Sequence, residues 1–318
     1  MSTERRSYRE TMSAQTPSVT TAPARPEFGP EATSNTLEIL DSTIHWVEHG
    51  EGSPIVFLHG NPTSSFLWRG VFSGLRGRGR LLAPDLIGFG DSGKPDIAYD
   101  LDDHQRYLNA WFDALDLRDV TLVVQDYGAA FGITWARNNP DRVSGLVIAE
   151  PVLRPIDSAA LPAEFVALRG EVLKDGIGEQ IVLEENRFIT GLLPSAVLDG
   201  LPDEVQAVYA APFPTPESRR PILVFPRSLP VDAKPQSTVD FLAANEQWLA
   251  TSPIPKALFT FEPGFLLTPE IVEWAKSNIA ELEVTAVGRG SHYVQEDSPA
   301  EIAAAVGAFL DVHRDATA

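Results

Sequence analysis

Apolar runs of strand length alternate with segments of helical spacing along the middle of the chain. The runs PIVFLHG, RLLAPDLIG, TLVVQD and VSGLVIAEP are short and continuous, as in strands that are buried on both faces. Among them, LDDHQRYLNAWFDALDL has the apolar spacing of an amphipathic helix, and the helix-like GAAFGITWARNNP follows TLVVQD directly and ends at Asn-Pro. This alternation predicts an α/β fold, with a mostly parallel sheet flanked by helices on both faces.

The pattern changes on either side of this region. Residues 1–33 are rich in Ser, Thr, Pro and Arg and lack apolar periodicity, which predicts a disordered N-terminal tail. Order is expected to begin near Thr36, where LEILDSTIHWVEHG predicts two strands around a turn at Asp41-Ser42. Towards the other end, KALFTFEPG and EVTAVGRG predict further strands, and EIAAAVGAFLDVH predicts a closing helix.

Apolar runs of strand length are absent between about Leu153 and Ser228. Three segments there have helical character and are separated by prolines: AEFVALRGEVL, IGEQIVLEENRFITGLL and DEVQAVYAA. We therefore predict a helical cap at residues 153–228, inserted into a core that is formed by residues 34–152 and 229–314.

Composition narrows the kinds of partner. The 318 residues carry a formal net charge of -19, which repels phosphate backbones and anionic membranes and argues against a nucleic-acid role. The chain has no cysteine, so disulfides, thiolate zinc sites and cysteine nucleophiles are excluded. No apolar run has membrane-spanning length, and the N-terminus lacks an apolar segment followed by a small-residue cleavage site, so we expect a soluble cytoplasmic protein.

Reactive groups in an open α/β sheet lie just beyond the carboxyl ends of the strands. Four candidates follow apolar runs in this way. They are Asn61 in the turn HGNP, Asp126 after TLVVQ, Glu150 after LVIA and His292 in the loop GRGSHY. Their chain order of nucleophile, acid and histidine is the order used by hydrolases that are built on this kind of sheet.

Asp126 has the surroundings of a nucleophile elbow, with a strand behind it, Gly128 two places ahead and a helix that begins at once. A helix N-cap is the plain alternative for an aspartate at such a junction. A carboxylate that attacks a saturated carbon yields an ester, which activated water can hydrolyse, whereas a serine would leave an inert ether. Asp126 therefore points to a leaving group on saturated carbon, as in an alkyl halide or an epoxide.

The other three candidates supply the remaining parts of such a reaction. His292 is the candidate general base for water. Glu150 ends a very apolar strand, where pairing with a histidinium would offset the cost of burying its charge; a helix cap or salt bridge is the alternative. The turn at Asn61 and the amide of Tyr127 supply backbone N–H groups for an oxyanion hole. The Asn61 side chain is a candidate donor to a departing anion, or else a mere turn residue.

These residues, and nearly the whole chain from Leu37 to His313, resemble the haloalkane dehalogenases. The matching segments are HGNPTSSFLWR, APDLIGFGDSGKP, VVQDYGAA, AEPVLRP, ENRFITG, APFPTPESRRP, SPIPKALF and GSHYVQED. The branch of the family whose acid follows the strand after the elbow fits best, because Glu150 stands there. The resemblance implies the α/β-hydrolase fold and the hydrolysis of an alkyl halide to alcohol, halide and a proton.

By resemblance, Asp126 is the nucleophile, His292 is the base and Glu150 is the acid that orients it. Asn61 is implied as one halide donor. The second donor in the family is typically a tryptophan after the nucleophile, and Tyr127 stands there instead, with a phenol that donates one O–H bond from a different place. The resemblance implies no metal and no organic cofactor, and its partners are a small apolar halogenated substrate, water and the halide ion.

Position matching to the family also implies an apolar substrate tunnel, with ordinary packing in cap and core as the alternative. The implied tunnel residues are Phe188, Phe213, Phe265 and Leu266. Substrate chain length, halogen preference, stereochemistry and oligomeric state do not follow from the sequence.

Three other functions stay open at this point. The first is an epoxide hydrolase, a fold-mate that by resemblance has two tyrosines in its cap. Only Tyr209 lies in the cap predicted here. Epoxide hydrolases also tend to carry their acid after the next strand, where Glu262 stands. A coelenterazine luciferase of the sea-pansy type shares the same framework but acts as an oxygenase. A catalytically silent small-molecule receptor is the third, and the intact set of nucleophile, acid and base argues against it.

Overall fold

A nine-stranded sheet forms the centre of the computed structural model, which describes residues 19–314. The strands are β1 (Val19–Pro23), β2 (Thr33–Ile39), β3 (Ser42–His49), β4 (Pro54–Leu58), β5 (Arg80–Pro84), β6 (Val120–Asp126), β7 (Val143–Pro151), β8 (Lys256–Pro263) and β9 (Leu282–Gly290). Their order across the sheet is β1-β2-β3-β5-β4-β6-β7-β8-β9. The first three strands pair antiparallel with their neighbours and the remaining pairs are parallel, which confirms the predicted α/β fold.

Helices connect and cover these strands. The α-helices of residues 19–314 are α1 (Arg69–Gly74), α2 (Leu101–Ala114), α3 (Tyr127–Asn138), α4 (Ala163–Val172), α5 (Ile177–Glu179), α6 (Leu193–Ser195), α7 (Asp203–Ala210), α8 (Arg220–Ser228), α9 (Gln236–Leu249), α10 (Pro269–Asn278), α11 (Val294–Asp297) and α12 (Pro299–Arg314). Short 3-10 helices lie at Pro26–Phe28, Ser65–Trp68, Ser158–Ala160 and Glu217–Arg219. None of the helices in this part of the chain is long and apolar enough to span a bilayer.

Side-chain alternation along the strands divides the core into two layers. On β4, Val56 and Leu58 belong to the layer that includes the buried faces of α2 and α3. Ile55 and Phe57 belong to the opposite layer, with the buried faces of α1 and α12. Successive side chains of a strand point to opposite faces, so a strand covered on both sides must be apolar at every position. This is why the continuous apolar runs lie at the centre of the sheet.

The prediction of a disordered tail through residue 33 is wrong for residues 19–33. β1 pairs with β2 along its whole length, and Phe28 is 1% exposed with its ring centroid 5.3 Å from that of Phe72. All five β1 side chains are exposed, so main-chain hydrogen bonds hold this strand in the sheet. The strand therefore has no alternation of apolar and polar residues from which it could have been predicted. Residues 1–18, the rest of the predicted tail, lie outside the described residues.

Helices α4 to α8 lie in the region 153–228, where the sequence has no apolar runs of strand length. The segment predicted as one long helix, IGEQIVLEENRFITGLL, is instead interrupted at Asn186, and π-helical turns lie on either side, at Gln180–Glu184 and Phe188–Leu192. The φ of Asn186 is 54°, a left-handed conformation that asparagine tolerates better than most residues. Neither glycine nor proline, the usual sequence markers of a helix break, stands at this interruption. The cap boundaries at residues 153 and 228 stay a prediction.

Candidate active site

The carboxyl end of β6 holds Asp126 in a strained backbone conformation. Its φ is 51° and its ψ is -130°, and α3 begins at the next residue. A Cβ at Gly128 would lie 2.4 Å from the carbonyl oxygen of Leu58, so the chain passes the neighbouring strand at a distance that only glycine permits. A non-glycine residue held in such a conformation costs about 1–3 kcal/mol, and residues of this kind cluster at functional sites. The geometry is that of the predicted elbow.

The two carboxylate oxygens of Asp126 have different neighbours. Oδ1 accepts the backbone N–H of Asn61 at 2.8 Å, from the turn after β4. Oδ2 lies 3.3 Å from Nε2 of His292. A backbone donor that already points at Oδ1 is placed to stabilise negative charge on that atom in an acyl intermediate, which is the arrangement of an oxyanion hole.

Glu150 and His292 form the other half of the site. Glu150 is 0% exposed with a φ of 42°, and its Oε2 accepts the backbone N–H groups of Phe265 and Leu266 at 3.1 and 2.7 Å. The same oxygen lies 3.4 Å from Nδ1 of His292. Burial alone would lower the pKa of His292, but its hydrogen bonds to Asp126 and Glu150 outweigh burial and raise that pKa to about 9. The fold thus places the imidazole between the two predicted carboxylates.

A cavity of about 50 Å³ opens beside this constellation. A single water needs roughly 10–15 Å³ by the same measure, so the cavity holds a short chain of a few heavy atoms. The lining residues are Asn61, Asp126, Tyr127, Phe165, Phe188, Leu192, Ala196, Phe225, Pro226, Leu229, Phe265, Leu266, His292 and Tyr293. An apolar chamber with one carboxylate and one imidazole suits a small uncharged molecule.

Three of the four predicted tunnel residues line this cavity, namely Phe188, Phe265 and Leu266. Phe213 does not. Its ring centroid is 5.8 Å from that of Phe89, and Nζ of Lys94 lies 5.2 Å from it, so it packs beside the cavity lining instead of within it. Phe165 and Phe225 also line the cavity but were not predicted to do so, because helical spacing shows that a helix has an apolar face but not which cavity that face closes.

Tyr127 lines the cavity, but its hydroxyl is bonded to α8. The hydroxyl donates its one proton to the carbonyl oxygen of Phe225 at 2.8 Å, and the two ring centroids lie 4.3 Å apart. Burial raises the pKa of Tyr127 well above its ordinary value, so the phenol stays protonated. A phenol has a single proton to donate. In this structure the hydroxyl donates that proton to Phe225. The hydroxyl of Tyr127 is therefore not positioned to donate to a halide.

Two further side chains, which no sequence motif indicated, hold the loop with His292: Gln125 and Asp297. Gln125, directly before the nucleophile, donates from Nε2 to the carbonyl oxygen of His292 at 3.2 Å. Asp297 accepts the backbone N–H groups of Ser291 and Leu198, both at 2.8 Å, and so ties this loop to the middle of the helical insertion. No motif indicates the bonds from Gln125 and from Leu198, because each joins a side chain to the backbone of a segment 99 or more residues away.

The residues on which the epoxide-hydrolase alternative depended lie outside the cavity. Glu262 is exposed near the end of β8. The hydroxyl of Tyr209 donates to Glu296, which also pairs with Arg69 at 2.6 Å. Neither side chain is placed to activate an epoxide that is held beside Asp126.

Within residues 19–314, one group of side chains has the spacing of metal ligands: His45, Asp85 and Asp91. None of the three lines the cavity beside Asp126. Nδ1 of His45 lies 2.7 Å from Oδ2 of Asp85, as an ion pair or hydrogen bond.

Comparison with known proteins extends the likeness beyond the site. The family model of the α/β hydrolase fold matches residues 53–250. A haloalkane dehalogenase of Agrobacterium fabrum strain C58 is 56% identical over 283 residues, which are 89% of this chain and 93% of that protein. A haloalkane dehalogenase of Mesorhizobium japonicum is 42% identical over 299 residues, which are 92% of this chain and 93% of that protein.

Solved structures show the same likeness in three dimensions. The crystal structure of the haloalkane dehalogenase DatA from Agrobacterium tumefaciens C58 is 54% identical, with a TM-score of 0.90 over 91% of this chain and 99% of that chain. A variant of DatA in which one tyrosine is replaced by tryptophan has a TM-score of 0.89 over 91% of this chain and 100% of that chain. The likeness covers nearly the full length of these relatives.

Proposed function

The chain belongs to the haloalkane dehalogenases, hydrolases of the α/β-hydrolase fold that act on carbon–halogen bonds, and on that premise we propose how its own residues perform the reaction. Membership in this family sets aside the epoxide-hydrolase, luciferase and receptor alternatives. The observation that carries the proposal is the imidazole of His292 between Asp126 and Glu150, beside an apolar cavity. Asp126 is the nucleophile, His292 is the general base and Glu150 is the acid that orients it.

In the first step, Asp126 displaces the halide. Oδ1 stays bonded to the N–H of Asn61, so Oδ2 is the oxygen that attacks the halogen-bearing carbon. The new carbon–oxygen bond forms as the carbon–halogen bond breaks, and the halide leaves with the bonding electron pair. Asp126 is only 5% exposed, so little water competes for its carboxylate. The product is an alkyl ester of Asp126.

In the second step, water hydrolyses this ester. Esterification removes the charge of Asp126, one of the two that raise the pKa of His292 to about 9, so that pKa falls and the neutral imidazole becomes a base. Nε2 takes a proton from water, whose oxygen attacks the ester carbonyl carbon, while Glu150 stabilises the imidazolium. The N–H groups of Asn61 and of Tyr127, at the start of α3, stabilise the oxyanion. Collapse of the intermediate breaks the bond from the acyl carbon to the alkyl oxygen, which takes the proton from Nε2 and leaves as the alcohol. Loss of the remaining proton restores the carboxylate of Asp126.

Asn61 is the halide donor in this proposal. This residue is 9% exposed and lines the cavity with Asp126. The hydroxyl of Tyr127 becomes a second donor only by leaving the carbonyl oxygen of Phe225. We therefore assign the backbone of Tyr127 to the oxyanion hole and its side chain to attachment of α8.

The substrate class is a small, neutral, apolar haloalkane. Aromatic and aliphatic walls, Phe165 and Leu229 among them, give the cavity no means of binding a charged group other than through its reacting residues. Water and the halide ion are the other partners. The net charge of -19 supports the further proposal that the protein binds no nucleic acid or anionic membrane. We also propose that it works in the cytoplasm.

The test is capture of the ester on Asp126. In His292→Gln, alkylation proceeds but water is not activated, so 1-bromobutane should leave one butyl group on the peptide that contains Asp126, detected by mass spectrometry. One equivalent of bromide should appear per chain, whereas the wild type releases bromide continuously. The double variant Asp126→Asn with His292→Gln is the matched control and should acquire no butyl group.

Absence of this adduct in His292→Gln, with a wild type that consumes 1-bromobutane, would overturn the mechanism. An adduct on Glu150 in place of Asp126 would show that the nucleophile had been assigned to the wrong carboxylate.

A further inference from the structure

A second row of serine, histidine and aspartate lies outside the cavity of Asp126. Ser34, on β2, has its Oγ 2.8 Å from Nε2 of His45, on β3. The other ring nitrogen, Nδ1, lies 2.7 Å from Oδ2 of Asp85, directly after β5. None of the three lines the cavity already described. A hydroxyl, an imidazole and a carboxylate joined in this order form the arrangement that activates a serine.

Backbone hydrogen bonds hold the acid and the base of this row in place. Asp85 is 2% exposed and accepts the N–H groups of Ser65 at 2.6 Å and Asp91 at 2.9 Å. His45 is 4% exposed, and its own N–H donates to Oγ of Ser92 at 3.0 Å. Burial would raise the pKa of Asp85, but the charge and hydrogen bond of His45 lower it to about 2, so the carboxylate is ionised. An ionised acid on Nδ1 orients Nε2 towards the serine hydroxyl.

The row borders a cavity of its own, of about 40 Å³. Ser34, His45 and Asp85 all line it, and Ser34 is partly exposed, so a small molecule in the cavity reaches the hydroxyl. The apolar part of the wall is formed by Phe28, Val47, Phe66, Val208 and Pro212. Arg25, a cationic residue, also lines this cavity.

We propose that Ser34 is the nucleophile of a second hydrolytic site, which cleaves small neutral carboxylic esters with His45 as base and Asp85 as the orienting acid. The two sites share no residue, so this proposal does not depend on the dehalogenation mechanism.

The reaction balances as acyl transfer to water. Oγ of Ser34 attacks the ester carbonyl carbon while its proton passes to Nε2 of His45. The carbon–oxygen bond to the alcohol then breaks, and the alcohol leaves with that proton. Water, deprotonated by the same imidazole, hydrolyses the acyl-serine and restores the hydroxyl. The cationic side chain of Arg25 on the cavity wall stabilises the oxyanion in both steps.

Chemistry selects an ester over an alkyl halide at this second site. Attack of a serine on saturated carbon gives an ether that water does not cleave, whereas an acyl-serine turns over. The carboxylates of Asp85 and Asp91 line the cavity and repel an anionic substrate. At about 40 Å³ the cavity admits a group of acetyl size, given the roughly 10–15 Å³ that one water requires.

The experiment separates Ser34 from Asp126. Asp126→Asn, which lacks the dehalogenation nucleophile, is treated with a fluorophosphonate, a reagent for activated serines, and its peptides are analysed by mass spectrometry. We expect the label on the peptide that contains Ser34, and hydrolysis of p-nitrophenyl acetate by the same protein. Adding Ser34→Ala should remove this label and lower ester hydrolysis at least about tenfold, and adding His45→Gln should slow labelling at least about tenfold.

Ser64→Ala is the matched control, because Ser64 lines the same cavity but accepts the N–H of Phe66 instead of contacting an imidazole. It should keep the label and the ester hydrolysis. Ser34→Ala in the otherwise wild-type chain should release halide at the wild-type rate, which shows that the fold is retained. An unlabelled Ser34, ester hydrolysis unchanged by Ser34→Ala, or equally fast labelling of His45→Gln would each overturn the proposal.

Discussion

His292 and His45 each lie between a carboxylate and a second reactive group, but the distances from the imidazole nitrogens to these groups are shorter at His45. His292 is 3.3 Å from Asp126 and 3.4 Å from Glu150. His45 is 2.7 Å from Asp85, and its other nitrogen is 2.8 Å from a serine hydroxyl. Contacts near the outer limit of hydrogen bonding tighten as charge moves during a reaction, whereas short contacts are already formed.

The carboxylates of Asp126, the proposed nucleophile, and Asp85, the proposed orienting acid of His45, differ in their backbone donors. Within residues 19–314, Asp126 accepts one backbone N–H, from Asn61, whereas Asp85 accepts two in addition to its histidine. A buried carboxylate with all its partners is stabilised where it stands, and one with fewer partners keeps an oxygen for chemistry. The proposed nucleophile therefore has fewer backbone donors than either acid proposed to orient a histidine, since Glu150 also accepts two backbone N–H groups.

Removal of Asp126 should have the largest effect. We expect Asp126→Ala to lower halide release from 1-bromobutane by about 10⁴-fold or more, equivalent to roughly 5 kcal/mol, because the ester cannot form. Its melting temperature should stay close to that of the wild type, because Asp126 anchors so little backbone. Halide release and thermal unfolding are measured on the same preparation. Turnover above about one thousandth of the wild-type rate would contradict the role of nucleophile.

Glu150→Gln should slow the second step and spare the first. Alcohol formation should fall by roughly 10²–10⁴-fold, since the imidazolium loses its charged partner. Halide should still appear in a burst of one equivalent, measured by rapid quench, because alkylation of Asp126 does not use the base. Glu262→Gln is the control, as Glu262 is exposed near the end of β8 and should change neither step. A lost burst would assign Glu150 to the nucleophile instead of the base.

Asp85→Asn should lower the stability of the fold. The new amide leaves a buried backbone N–H or the imidazole of His45 without its acceptor, so the free energy of unfolding should fall by about 3 kcal/mol, measured with urea. Asp96→Asn is the control, because Asp96 is 93% exposed in its pair with Arg220 and should cost less than about 1 kcal/mol. Equal losses in the two variants would contradict a stabilising role for the hydrogen bonds to Asp85.

The stability that His292 contributes should depend on pH. Its folded-state pKa of about 9 lies above the ordinary value of 6.5, so its contribution is fully present below pH 6.5 and is lost as pH rises through 9. We expect the difference in free energy of unfolding between wild type and His292→Gln to shrink over this interval. Lys256, whose pKa burial lowers to about 8, has the opposite sign but is common to both proteins and cancels. A difference that is constant with pH would contradict the charge on His292.

Tyr127→Phe should have the smallest effect. It leaves the carbonyl oxygen of Phe225 without the donor at 2.8 Å, so the free energy of unfolding should fall, by about 1–2 kcal/mol. Halide release should change less than about tenfold, because the hydroxyl does not face the leaving group. Urea unfolding and steady-state halide release provide the two readings. A hundredfold loss of activity would restore Tyr127 to the role of halide donor.

Periodicity predicted the central sheet because of how that sheet is buried. β4, β6 and β7 are covered on both faces, so they stand out as continuous apolar runs. β1 is exposed along its whole length and is held by main-chain bonds to β2, which side-chain patterns do not report. The same limit applies at Asn186, where a backbone conformation interrupts an otherwise helical pattern.

The candidate site was predictable where it depends on topology. Asn61, Asp126 and Glu150 follow apolar runs, and the carboxyl ends of parallel strands meet at one edge of the sheet, so the fold brings them together. The bond from Tyr127 to α8 and the place of Phe213 outside the cavity were not predictable. Both depend on how the helices of the insertion pack, and a helix with one apolar face can be packed in several ways.

By itself, the sequence determined the alternation of strands and helices in the central sheet, the family and the residue types available for catalysis, because local periodicity and short motifs are sufficient for these. Only the tertiary structure decided which side chains share a cavity and which carboxylate faces each nitrogen of His292. It also decided that Ser34, His45 and Asp85 form a row, since these contacts join residues 11 and 40 positions apart. Packing brings such distant segments together, and no pattern within either segment specifies the contact between them.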